Sequence, residues 1–223
     1  MPAKLAALDD TMAQVLGQPE AGEFSDEQLG IIATSLSQAT VFIADALQSY
    51  DFDRATRTDV FMVDPEYHPY SVGLSPRFLL ARGFVDTGQP FEMRLSMQLG
   101  DLASAGVVSA NDYFIDANRG TVLIVGYDTY AITEPLWLGG SRYFVQIDYT
   151  CGFATTADAY GTTYSGVPEW LQAAARYAGK MIFEAGGDCD PESETGCSIS
   201  EKMRGLISTH VRYEPAAVKP LAW

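Results

Sequence analysis

The chain has 223 residues, 47% of them hydrophobic and 12% aromatic, with charged residues held to 19%. That composition supplies one sizeable core or two small ones and excludes a disordered chain. Against 14 Lys and Arg stand 29 Asp and Glu, a net charge of −15 with no basic block anywhere, which excludes duplex-DNA binding by phosphate neutralisation.

The first residues, MPAKLAALDDTMAQVLG, carry Asp9 and Asp10 too early for the apolar run of a signal peptide. No stretch approaches the ~20 apolar residues of a membrane span, so no membrane partner is expected. Three cysteines do not make a disulfide framework, and synthesis in a reducing cytoplasm is the expectation. Leu5, Leu8, Met12 and Val15 fall at helical spacing and predict a short helix stopped by Gly17 and Pro19. Ser25 with Gln28 then forms a capping box, with Asp26 and Glu27 at the positive end of the dipole. Leu29, Ile32, Leu36, Ala39, Ile43, Leu47 and Tyr50 follow at steps of three and four and predict ~25 residues of helix.

From about residue 56 the period changes to two. RTDVFMVD and RFLLARGFV read as shorter strands. FEMRLSMQL puts Phe91, Met93, Leu95, Met97 and Leu99 on one face, as a half-buried antiparallel strand does. NDYFIDANRGTVLIVG reads as a hairpin turning at Asn118, Arg119 and Gly120, and RYFVQIDYT alternates through Tyr143, Val145, Ile147 and Tyr149. Residues 154–167 read as a long loop. Pro168 at the first helical position and Glu169 in the first turn open GVPEWLQAAARYAGKMIFEAGG, in which Ala174, Ala178 and Gly179 leave a thin face for close helix packing. A second capping box, Ser198 to Glu201, starts a short last helix, and two prolines make VRYEPAAVKPLAW an extended tail. The predicted class is α+β: residues 1–55 and 153–212 build a helical bundle, 56–152 an inserted antiparallel β-domain, and 213–223 the tail.

Chemistry is thinly represented. Cys151 ends a strand, but His68 and His210 share no motif with it, so a small packed residue is favoured over a nucleophile. DCDPESETGC alternates Asp188, Asp190, Glu192 and Glu194, yet Ser193 stands where a calcium loop needs glycine and Ile199 where it needs glutamate. Cys189 and Cys197 match no zinc spacing, and a solvated acidic turn is the simpler reading. No phosphate-binding loop, nucleophile elbow or metal-binding histidine pair occurs. No catalytic residue, cofactor or metal is expected.

Taken in order, SDEQLGIIATSLSQATVFIADAL, RTDVFMVD, LSPRFLLARGFV, NDYFIDANRGTVLI and VQIDYTCGF…VPEWLQAAARYAGKMIFE resemble the head-to-tail connector (neck adaptor) proteins of tailed double-stranded DNA bacteriophages. The resemblance covers roughly residues 25–212; the loop from Ala154 and the acidic cysteine loop depart from it. In it Cys151 takes the small-residue position before Gly152. It implies a structural virion protein of the neck, made in the host cytoplasm. Its copies form a homo-oligomeric ring, usually of twelve, beneath the portal protein and dock the next neck or tail protein. Genomic DNA would pass through without specific binding, past an acidic wall that does not grip phosphates. In the tail, Tyr213, Val218, Leu221 and Trp223 are unusually apolar and are the candidate portal contact. The competing reading is a β-sandwich binding module of a tail or baseplate that engages a glycan or receptor through Trp137 and Tyr127, Tyr130, Tyr160 and Tyr164.

Overall fold

The computed structural model describes residues 2–47, 52–63, 77–124, 142–185 and 220–221. Its elements are α1 (Asp10–Val15), α2 (Asp26–Ala46), β1 (Ala55–Val63), β2 (Arg77–Leu79), β3 (Glu92–Ser96), β4 (Tyr113–Asp116), β5 (Thr121–Ile124), β6 (Tyr143–Cys151), β7 (Ala154–Asp158), β8 (Gly161–Ser165) and α3 (Glu169–Glu184). The class is α+β, and among the described residues every strand pair is antiparallel. The chain divides into two compact units, one drawn from Met1–Asp53 and Phe153–Val211, the other from Arg54–Gly152 and Arg212–Trp223.

In the first unit α2 packs against α3. Both halves of the α2 capping box form: Gln28 N–H donates to Ser25 Oγ (3.3 Å), and Ser25 N–H to Gln28 Oε1 (2.9 Å). Ile32, Leu36, Ala39 and Ile43 are buried along one face. The helix ends at Ala46, with Leu47 as its C-cap; the expected end at Tyr50 lies outside the described residues. By length and composition α2 could cross a membrane, which corrects the expectation that no stretch is long and apolar enough. Its buried side also carries Ser37 and Thr40, which anchor the segment running beside it. Ser37 Oγ donates to Pro2 O (3.1 Å), and Leu5 N–H donates to Thr40 Oγ1 (3.0 Å).

That anchoring corrects the first predicted helix. α1 starts only at Asp10, capped by Asp9, whose carboxylate accepts from Met12 N–H (3.0 Å). Leu5 and Leu8 precede the cap, because the chain at Lys4 pairs in extended form with β8. Lys4 N–H donates to Thr162 O, and Tyr164 N–H to Lys4 O, each at 2.9 Å. Residues 154–167 are likewise no simple loop. β7 and β8 form a hairpin whose turn is released by Gly161 at φ 123. Its residues are mostly exposed, so its threonines carry no apolar alternation to announce it. Pro168 is the N-cap of α3 rather than its first residue, and its carbonyl accepts from Leu171 and Gln172 N–H.

Among its described residues the second unit holds two three-stranded sheets, ordered β1-β6-β3 and β2-β5-β4. Their inward residues share one core, with Phe61, Met93, Val145, Ile147 and Tyr149 from the first and Phe78, Val122 and Ile124 from the second. The rings of Phe61 and Phe78 meet edge-on at 5.2 Å. β6 alternates buried and half-buried residues without a fault from Tyr143 to Cys151. The expected alternation beyond Leu95 is corrected: β3 stops at Ser96, whose Oγ accepts from Gln98 N–H (3.1 Å), and the chain turns into a 3-10 helix. Met97 and Leu99 are therefore exposed. Of RFLLARGFV only Arg77–Leu79 is strand; Phe84 then takes the left-handed region at φ 54, a costly conformation for an aromatic residue.

Candidate functional site

Cys151 closes β6, buried, with its thiol donating to Ala55 O at 3.6 Å. Burial pushes the thiol above its ordinary value, and Arg57 and Arg82 pull it back only in part. The thiol form is therefore favoured, the opposite of what a nucleophile needs. The residue ends the strand as a small packed side chain, next to Gly152 at φ 79, whose N–H donates to Phe84 O (2.9 Å).

The neighbouring strand β1 carries a buried polar group that periodicity does not flag. Asp59 is 7% exposed; its Oδ2 accepts from Tyr149 Oη (2.9 Å) and from Ala81 N–H (2.6 Å). Tyr149 Oη in turn accepts from Arg82 N–H (3.2 Å). Burial first, and then the Asp59 charge, holds the Tyr149 phenol far above its ordinary value, so it donates at every ordinary pH. Two backbone N–H groups of the segment after β2 are thereby fixed to β1 and β6. This group positions backbone.

The seam of small residues is close. Ala174, Ala175, Ala178 and Gly179 are buried on α3, and a Cβ at Gly179 would lie 2.8 Å from Leu36 Cδ2 of α2. Arg176, buried on the same helix, is held by Gln172 Oε1 (2.9 Å), Glu169 Oε1 (3.2 Å) and Asp9 Oδ2 (3.8 Å). Lys180 Nζ donates to Val15 O (3.0 Å) at the end of α1. Ala174→Leu, and more strongly Ala178→Leu, should overpack this face at a cost of about 1–3 kcal/mol. A melting temperature equal to the parent's in both variants would mean that the face has room.

Lys4 is a further buried charge that helical spacing hides. Its Nζ donates to Asp158 Oδ1 (2.9 Å) and Tyr160 O (3.2 Å). At Asp158 desolvation pushes the carboxyl pKa up, but hydrogen bonds from Thr163, Lys4 and Tyr160 N–H outweigh it and set it below its ordinary value. The pair fastens residue 4 to the β7–β8 hairpin.

Of the candidate tail contacts, Leu221 is described; Tyr213, Val218 and Trp223 lie outside the described residues. Leu221 N–H donates to Val60 O at 2.7 Å, which sets it on the outer edge of β1. His68, His210, Cys189, Cys197, Trp137, Tyr127 and Tyr130 also lie outside the described residues. Tyr160 and Tyr164 are described, and their hydroxyls are engaged by Asp26 Oδ1 (3.2 Å) and Asp53 Oδ1 (2.9 Å). Among the described residues no group of His, Cys, Asp and Glu is arranged to hold a metal ion.

No family model and no curated protein matches this chain.

The arrangement that results is one of fastening. Every buried polar side chain described above holds backbone or a neighbouring element in place, and the edge contact at Val60 is the one that involves the apolar segment singled out in the sequence.

Proposed function

We propose that the chain is a structural protein of a bacteriophage neck, a head–tail connector whose copies form a ring of about twelve beneath the portal, in line with the closed symmetry of most homo-oligomers. The observation that carries this reading is the order of its elements. A capped α2 leads into an antiparallel unit, β6 closes it at Cys151 and Gly152, and an alanine-rich α3 opened by Val167 and Pro168 returns to α2. The finer architecture under this reading is a helical bundle built from both flanks of an inserted β-domain. The net charge of −15 then lines a channel that lets DNA slide without gripping it. The ring would offer one surface to the portal and another to the next neck or tail protein.

Mixing purified protein with portal and imaging by negative stain tests this: rings stacked on portal are expected. A monomer that ignores portal and binds glycan arrays would replace this reading with the binding module; the hydrogen bonds made by Tyr160 and Tyr164 give that alternative no support. Under the connector reading, Tyr213, Val218, Leu221 and Trp223 anchor the subunit in a cleft between portal subunits. Deleting residues 214–223 should weaken portal binding about 30-fold or more, the loss typical of an aromatic anchor. Portal affinity within about twofold of the parent would move the anchor to the helices.

A further inference from the structure

We infer that the outer edge of β1 is a strand-docking site, and that its occupant is this chain's own segment around Leu221. β1 is nine residues long and, among the described residues, terminal in its sheet, with β6 on one side only. In an antiparallel ladder the N–H and C=O of one residue point the same way, and alternate residues point to opposite sides. Leu221 N–H reaches Val60 O at 2.7 Å, so Val60 turns its backbone groups outward. Thr58 and Met62, two residues away, turn theirs outward as well, while Asp59 and Phe61 face their partners Ile147 and Val145 on β6.

The segment suits the place. With Leu221 donating toward β1, Pro220 falls on the side turned away, where an added strand needs no donor. Its fixed φ also keeps the chain extended. The strand needs such a cover, because its second half runs Val60, Phe61, Met62 and Val63, and a long apolar edge is a template for pairing with other chains. Backbone hydrogen bonds give such strand addition its affinity, and side chains on one face give its selectivity. The site does not depend on the connector reading. If a portal does take up the segment, the β1 edge is vacated by the same step.

Amide hydrogen exchange on the full chain tests the inference without any partner. The Leu221 N–H is expected to exchange at least about tenfold more slowly than an unprotected amide, as a hydrogen-bonded rung does. Leu221→Pro removes that donor and the leucine side chain with it, so the segment should leave the edge and exchange should rise at the outward amides of Thr58, Val60 and Met62, which an added strand covers. Asp59 and Phe61, bonded to β6, should keep the parent rate, which separates loss of the docked segment from unfolding of the unit. Protection should also be the same across a wide range of protein concentration. The inference is overturned if Leu221 exchanges as a free amide, or if Leu221→Pro leaves the three outward amides unchanged. Protection that grows with concentration overturns it too, since a second copy would then be the occupant.

Discussion

Gly120→Ala will destabilise the second unit by about 2–5 kcal/mol, the sum of a left-handed alanine at roughly 1–2 and an overpacked contact at roughly 1–3. Gly120 closes the β4–β5 turn at φ 65. A Cβ there would run into the Arg82 carbonyl oxygen and lie 3.0 Å from Gly83 Cα. These are backbone atoms, and neither side is free to retreat. Leu80 N–H donates to Gly120 O (2.9 Å), Val85 N–H to Ala117 O (2.8 Å) and Phe84 N–H to Asn118 O (3.2 Å), so the turn and the segment after β2 are laced together. Gly120→Asn separates the two costs. Asparagine tolerates the left-handed region but brings the same Cβ, so it should recover only the smaller part of the loss. Urea unfolding followed by circular dichroism measures both variants. A change below about 0.5 kcal/mol in Gly120→Ala, the range of an ordinary surface substitution, would show that the two segments can part.

What the sequence discloses about this fold depends on how local the controlling interaction is. The α2 start is set by Ser25 and Gln28, three residues apart, and its buried face by a repeat within the helix itself; both are readable. β6 is readable because one of its faces is buried from end to end. Lys4 is not, because its partner Asp158 is 154 residues away, and the helical spacing of Leu5 with Met12 is a coincidence that the contact with β8 overrides. The β7–β8 hairpin escapes for a related reason: both its faces are largely exposed, so hydrophobic period says nothing. In the candidate site the same division holds. Small residues at Ala178 and Gly179 announce a close helix contact, but only the fold supplies Leu36 as the other wall. The apolar character of Leu221 announces a partner surface, but that β1 is an edge strand, with Val60 facing outward, is a property of strand order and not of any residue in the tail. In sequence Asp59 is only a polar residue within RTDVFMVD, a short predicted strand. Its burial follows from the packing of the segment after β2, which turns at Phe84 with no local signal.

That buried carboxylate leads to the other large effect. Asp59→Ala should cost about 2–6 kcal/mol, because it strips the acceptor from two buried donors at roughly 1–3 kcal/mol each. One is the phenol of Tyr149 and the other the N–H of Ala81. The phenol cannot escape the cost by ionising, since burial and its surroundings hold it protonated. Tyr149→Phe should be milder, about 1–3 kcal/mol: the bond to Asp59 and the one accepted from Arg82 N–H are both lost, but Asp59 keeps the Ala81 N–H as a partner. The two changes are therefore not independent. Once Asp59 is alanine, removing the Tyr149 hydroxyl takes away a donor that has nothing to donate to, and the double variant Asp59→Ala, Tyr149→Phe should be more stable than the sum of the single losses by about 1 kcal/mol or more. Asp59→Asn belongs in the same series, since both bonds reach one carboxylate oxygen and an amide oxygen in its place can accept both, so it should recover part of the loss. Urea unfolding of the four proteins at one pH gives the coupling directly. If the single losses add to within about 0.3 kcal/mol, the Tyr149 hydroxyl and the Asp59 carboxylate do not share their energy, and each holds its own backbone N–H of the segment after β2 independently.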